Sequence, residues 1–303
     1  MTLRQFFAIV EIRTKIVSLS TYTLASLYVV FRTGRLDPLR ASLMLAATLL
    51  VDMGTTGFNT FFDYRSGVDS ARFNREESKV VVHEGVPWGL ALVTSLALFG
   101  LAIPFGIALA ILSGWPVIGI GALCMAVGFL YTGGPRPISR TPTGEVFAGG
   151  ALGSVLFLLI YFIHAGVPDL EAVLVSLPSS LLIASILTVN NTCDIDGDRA
   201  AGRRTLSIIL GRKGGETLAV VEAFSGFGLL AVLCLWGPFP VWASLAAAPI
   251  ALLAVFEFSK MHKRGYGHHT KGLSMESISR IFLLFTLAAT VVLLWAILAG
   301  LKR

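Results

Sequence analysis

Two stretches of this chain carry carboxylates hard against long apolar runs. One reads Asn59-Thr-Phe-Phe-Asp63-Tyr-Arg-Ser-Gly-Val-Asp69, the other Asn190-Asn191-Thr-Cys-Asp194-Ile-Asp196-Gly-Asp198-Arg199. Each contains an Asn-x-x-x-Asp step, and residues four apart share one face of a helix. An ionisable group at the edge of a bilayer is costly and is by default functional. Two such half-sites meeting from two helix ends would bind Mg²⁺, which takes one or two carboxylates and fills its shell with water and substrate phosphate. On helical phase Asp194 and Asp198 share a face and Asp196 points away. The expected donors are therefore Asp63, Asp69, Asp194 and Asp198, with Asn59 and Asn190 one turn before them. Lys79, Arg136, Arg140, Arg203 and Arg204 crowd the same segments. Carboxylates and cations in one basin suit a diphosphate, metal on one edge and Lys and Arg on the other. A single charged span end is usually an interfacial anchor; two matched clusters favour a site.

The elements that must position these groups are membrane helices. Of the 303 residues 55% are hydrophobic and 14% charged, against about a quarter charged in a soluble chain. Mean hydropathy is +0.78. Apolar runs of roughly spanning length, about 17–25 residues, predict an all-α, multi-pass bundle of about nine helices around a central cavity. The runs fall near 16–32, 40–62, 87–112, 115–131, 144–165, 171–193, 215–236, 239–258 and 277–300. Pro104 and Pro178 lie inside runs and should kink them. The N-terminal stretch, with Arg4, Glu11, Arg13 and Lys15, has no small-residue cleavage pattern and reads as uncleaved. Cys124, Cys193 and Cys234 form neither a metal-spaced pair nor a disulfide framework, and read as packing residues.

Segments 63–86, 132–143, 194–214 and 259–276 are long and charged, whereas 113–114, 166–170 and 237–238 are short. Nine spans put all the long ones on the N-terminal side. That side carries most of the Lys and Arg, including Arg72, Arg75, Lys260, Lys263 and Arg264, which assigns it to the cytoplasm and the chain to the cell (inner) membrane. Arg32, Arg35 and Arg40, with the terminal Lys302 and Arg303, are the exceptions. The net charge of +6 thus reports topology and not nucleic-acid binding. The repeated Asn-x-x-x-Asp suggests a single domain, 1–303, of two helical halves, approximately 1–140 and 141–303, each with one Asp-rich motif.

The chain resembles the UbiA superfamily of intramembrane prenyltransferases, and within it the 1,4-dihydroxy-2-naphthoate polyprenyltransferases of the menaquinone branch. Asn59 through Asp69 is similar to the first aspartate-rich motif. Asn190 through Arg199, with Gly202-Arg-Arg-Thr-Leu206, is similar to the second. Tyr131-Thr-Gly-Gly-Pro-Arg-Pro-Ile138, followed by Gly144-Glu145, resembles the branch signature. The likeness covers nearly the whole chain. It implies Mg²⁺ held by Asn59, Asp63, Asp69, Asp194 and Asp198. It implies substrate contacts from Asn59, Lys79, Tyr131, Arg136, Arg140, Asn190, Asn191 and Arg203, with Asp63, Asp194, Lys79 and Arg136 catalytic. The partners would be an isoprenyl diphosphate and an aromatic acceptor, most simply dihydroxynaphthoate; homogentisate or 4-hydroxybenzoate are the alternatives. The family usually has Asn-Asp where this chain has Asn59-Thr60, so the first motif is expected to be the weaker half.

Several smaller features have plain structural readings. Glu145 opens a helix, where an acidic residue suits the dipole. Arg13 and Lys15 could reach the substrate basin from the first span, but read as well as topology determinants, and His83 reads as solvated. His268-His269 lacks a third metal ligand at useful spacing. The small residues of Gly149-Gly150-Ala151-Leu152-Gly153 read as a close helix contact. A cation-coupled transporter is the reading from another class, but it would put its carboxylates near the bilayer midplane, not at span ends on one side.

Overall fold

The computed structural model describes residues 1–69 and 79–300, except the side chain of Ala246. Arg72, Arg75, Lys302 and Arg303 lie outside the described residues. In order the helices are α1 (Leu3–Ile9), α2 (Ile16–Thr33), α3 (Pro38–Arg65), α4 (Val80–His83), α5 (Trp88–Ser113), α6 (Pro116–Thr132), α7 (Gly144–Gly149), α8 (Leu156–Ala165), α9 (Leu170–Cys193), α10 (Ile195–Ala200), α11 (Leu206–Leu235), α12 (Ala243–Arg264) and α13 (Lys271–Gly300). A π-helical stretch, Gly150–Val155, joins α7 to α8. Among the described residues eight helical segments are long and apolar enough to cross a membrane, and α6 is a shorter apolar helix. Together they fill the nine expected positions, in an all-α bundle.

Helix starts follow their caps. Asp37 accepts from the Arg40 amide with Pro38 in the first turn of α3, and Asp169 accepts from the Ala172 amide at the start of α9. Such caps satisfy amide donors that the helix leaves unpaired. The structure moves one boundary substantially. The apolar run predicts a span from 215, but α11 starts at Leu206, where Thr205 caps the Ile208 amide. Gly211, at φ 72°, breaks the path inside this element, so a polar stretch that reads as loop belongs to a broken helix. Helices α5 and α9 run through Pro104 and Pro178.

The most extensive helix pairings are α3 on α5, α9 on α11 and α12 on α13. A Cβ at Gly149 or Gly153 would collide with Ser180 on α9, whereas Gly150 faces open space. Two of the expected small residues thus set the approach of this segment to α9. Buried side chains such as Tyr28, Phe157, Leu182, Phe227 and Phe285 form the larger core, and Ile9, Phe61, Val80 and Val81 a smaller one beneath the N-terminus.

One end of the bundle gathers the N-terminus and described residues from each of the four long charged segments. Arg4 pairs with Glu84, Glu11 with Lys79, Asp63 with Arg203 and Asp194 with Lys271. The Arg204 amide donates to the Arg140 carbonyl at 2.9 Å. At the opposite end Arg32 pairs with Asp169 (2.8 Å) and Glu171 (2.6 Å). Arg40 donates there to the carbonyls of Ile163 and Leu112. Of the cations that break the charge asymmetry, Arg32 and Arg40 are thus tied to neighbours on their own side.

Candidate active site

Helix α3 ends in a turn that folds the first motif back on itself. Gly67 takes φ 76°, which costs glycine nothing, and the Asp69 amide then donates to the Asp63 carbonyl at 3.0 Å. Asp63 and Asp69 are so held at one helix end. Helix α9 ends the same way in function. The Asp194 amide donates to the Asn190 carbonyl, Asp198 to Asp194, and Arg203 to Asp198. Gly202, at φ 73°, turns the chain so that Arg203 comes back over the motif.

The Arg203 guanidinium then joins the two stretches. Its Nη2 donates to Asp63 Oδ1 at 2.7 Å and its Nη1 to Asp198 Oδ1 at 3.2 Å. Carboxylates from the two separate motifs are bridged by one planar fork, the geometry arginine supplies best. Beside it Lys79 Nζ reaches Glu11 Oε1 at 2.7 Å and Asp69 Oδ2 at 3.1 Å, and Lys271 Nζ reaches Asp194 Oδ2 at 2.7 Å.

These groups rim a cavity of about 1760 Å³. Asn59, Asp63, Asp69, Lys79, Asn190, Asp194, Asp198 and Arg203 all line it, and deeper walls include Leu152, Ile183, Leu187 and Phe282. A charged mouth above an apolar interior suits a molecule with an anionic head and a hydrocarbon tail. Asn59 Oδ1 also accepts from Thr132 at 2.8 Å. Asp196 is exposed at the mouth and pairs with Arg212 at 2.9 Å.

The other expected contacts are not among the cavity-lining residues. Tyr131 ends α6 half-buried, Arg136 is exposed, and Arg140 is half-buried in a short 3₁₀ turn. Asn191 is buried and donates to Glu145 Oε1 at 2.8 Å. Glu145 stands in the first turn of α7, as expected, and is buried there as a hydrogen-bond partner. Thr60 is also buried, donating to the Ile9 carbonyl at 3.0 Å, so its position faces α1 and not the cavity.

Two groups escaped the sequence reading. Lys271 opens α13, just after the histidine pair, and charge alone gave it no direction. Lys15 is 2% exposed and pairs with Asp52 at 2.7 Å; it is an interior cation. Asp52 in the middle of an apolar run was the available signal.

The donors fit a hard divalent cation. They are carboxylate and amide oxygens, and Asp198 Oδ2 is buried without a hydrogen-bond partner. Among the described residues no three His, Cys, Asp or Glu side chains are gathered as a ready metal cluster. Instead Arg203, Lys79 and Lys271 hold the carboxylates.

The chain is 38% identical over 184 residues to a 1,4-dihydroxy-2-naphthoate octaprenyltransferase of Bacillus subtilis, covering 61% of this chain and 59% of that protein. It is 33% identical over 219 residues to the protein of that name from Mycobacterium tuberculosis, covering 71% and 73%. The chain thus spans less than two thirds of the Bacillus relative's length. Among solved structures it superposes on a UbiA homologue from Archaeoglobus fulgidus bound to DMAPP and Mg²⁺, with TM-score 0.66, 13% identity and coverage of 95% and 99%. A UbiA homologue from Aeropyrum pernix gives 0.63, 20%, 96% and 97%. At these identities the structures speak for the fold alone. Residues 18–271, most of the length, match the UbiA prenyltransferase family, and the chain belongs to that family of multi-pass membrane proteins.

Proposed function

We propose that the chain transfers a polyprenyl group from an isoprenyl diphosphate to 1,4-dihydroxy-2-naphthoate, in menaquinone biosynthesis. The observation that carries this reading is the Arg203 bridge, which draws Asp63 and Asp198 from separate motifs to one cavity mouth. The names of the bacterial relatives support the acceptor. Two helical halves, about 1–140 and 141–303, would each supply one motif to a single domain. The Lys- and Arg-rich loops support a mouth at the cytoplasmic face of the inner membrane.

Asp63, Asp69, Asp194 and Asp198, with Asn59, would hold Mg²⁺. When bound, the metal neutralises diphosphate charge and makes it a better leaving group. Arg203, Lys79 and Lys271 take phosphate oxygens; Lys271 assumes the contact that charge alone suggested for Arg136. The apolar wall houses the prenyl tail and keeps water from the allylic carbon as its C–O bond breaks. The electron-rich ring supplies the new C–C bond, and the carboxylate on that ring carbon leaves as CO₂. The candidate carboxylates stand at helix ends, where a transporter would hold them near the midplane.

The test is an assay of purified protein with Mg²⁺ and geranylgeranyl diphosphate against carboxyl-labelled dihydroxynaphthoate, homogentisate and 4-hydroxybenzoate. Labelled CO₂ should appear with the naphthoate. Turnover confined to another acceptor would move the chain to a different branch, and none at all would remove the reading.

Asp198 adds a pH dependence. Burial raises its pKa to about 6, with the nearby Arg203 charge opposing the rise. Below that pH it carries a proton, and above it a charge. Mg²⁺ takes the charged form, so apparent metal affinity should fall as pH drops through about 6. Titrating Mg²⁺ at pH 5, 6 and 7.5 checks this, and Asp198→Asn should flatten the fall.

A further inference from the structure

Helix α3 carries a polar stripe that runs deeper than the carboxylate mouth. Asp52, Thr56, Asn59 and Asp63 recur at steps of four, three and four, and all four line the cavity. That spacing keeps them on one helical face. The rise of 1.5 Å per residue puts Asp52 about 10 Å along the axis from Asn59 and about 16 Å from Asp63. A bicyclic aromatic ring fits between the mouth and that depth.

The hydrogen bonds around Asp52 leave it one kind of capacity. Its side chain is 10% exposed. Oδ1 accepts from Lys15 Nζ at 2.7 Å and Oδ2 from Ser18 Oγ at 2.6 Å. Lys15 spends its three donors on Asp52 Oδ1, the Asp52 carbonyl (3.2 Å) and Thr56 Oγ1 (3.1 Å). An ammonium has three donors and a carboxylate accepts about four bonds. Lys15 is therefore spent, and it is not among the lining residues. The Thr56 hydroxyl donates to the Val10 carbonyl at 2.7 Å. At this depth the α3 stripe thus offers the cavity an acceptor-only, anionic group. A hydrocarbon tail has no donor for it, and a diphosphate is repelled by it. A ring hydroxyl matches it.

We propose that Asp52 takes a phenolic O–H of the aromatic acceptor, with Lys15 and Ser18 as the residues that position its carboxylate. The same charge turns the acceptor's own carboxylate away from Asp52 and toward Arg203, Lys79 and Lys271, which fixes which ring edge meets the prenyl carbon. This rests on the prenyl-transfer reading above.

The experiment compares wild type, Asp52→Asn and the neutral pair Lys15→Met/Asp52→Leu. Each is assayed with geranylgeranyl diphosphate and dihydroxynaphthoate, or with either of its mono-O-methyl ethers. Hydrogen bonds to charged groups predict that Asp52→Asn lowers kcat/KM for the acceptor roughly 10- to 100-fold. KM for the prenyl diphosphate should stay within about twofold, since no contact to that substrate is removed. Capping one hydroxyl should cost wild type a similar factor and cost Asp52→Asn nothing further. The neutral pair should not recover acceptor kinetics, because it restores packing without the acceptor atom.

A parallel fall in both substrates' parameters would overturn the proposal, as would recovery in the neutral pair. If Asp52→Asn does not fold, Asp52→Glu replaces it, and full wild-type turnover of both ethers overturns the proposal unaided. Wild type inactive on the whole acceptor panel removes the underlying reading as well. An active wild type with unchanged acceptor kinetics in Asp52→Asn removes this inference alone.

Discussion

Asp63→Ala and Asp198→Ala should each slow prenyl transfer by roughly 10²- to 10³-fold, the scale on which losing one preorganised electrostatic group is felt. Both side chains meet the same guanidinium, so either loss removes a donor from the shared mouth and leaves Arg203 half paired. Sequence alone makes the first motif the weaker half, because Thr60 stands where the family usually has Asp. The structure removes that reason: Thr60 is spent on the Ile9 carbonyl. Asp63→Ala is therefore expected to be as damaging as Asp198→Ala. Asp194→Ala should be comparably harmful, since it also removes the carboxylate that Lys271 meets at 2.7 Å. Steady-state rates beside thermal unfolding curves separate these losses from misfolding, and full activity in both Asp63→Ala and Asp194→Ala would contradict the mechanism.

Lys15→Met should be the most destabilising single change in the interior, by about 3–5 kcal/mol, the cost of leaving one member of a buried ion pair uncompensated. Lys15 and Asp52 are 2% and 10% exposed, and the pair ties the start of α2 to the middle of α3. Adding Asp52→Leu should recover most of the loss, because the neutral pair leaves no buried charge. Breaking Arg280–Glu276, whose side chains are 52% and 67% exposed, should cost about 0–1 kcal/mol. Unfolding of the detergent-solubilised protein, followed by intrinsic fluorescence, reads all three.

The span positions were legible because length of apolar run is itself the requirement for crossing a bilayer. Helix ends were less so. The polar turns that extend α11 back to Leu206 carry no apolar signal, and only the Thr205 cap marks them. In the site, the Asn-x-x-x-Asp steps placed Asn59, Asp63, Asn190, Asp194 and Asp198 on the cavity wall because helical phase is local. Arg136 and Arg140 show the limit. Their charge and motif were visible, but where a loop side chain points is set by contacts far away in sequence. Lys15 and Asp52 show it again. Thirty-seven residues separate them, and neither neighbourhood reveals the other. The spacing of Asp52 seven residues before Asn59 was a local clue, and it places both on one stripe.

The central claim is that two motifs form one diphosphate site, and a double-mutant cycle tests it most directly. Affinity for geranylgeranyl diphosphate with Mg²⁺ would be measured in wild type, Asp63→Asn, Asp198→Asn and the double variant. Groups that share a partner are expected to be coupled, by about 0.5–3 kcal/mol. The second substitution should therefore cost much less in the presence of the first. Losses that add within about 0.3–0.5 kcal/mol would mean that Asp63 and Asp198 act at separate sites.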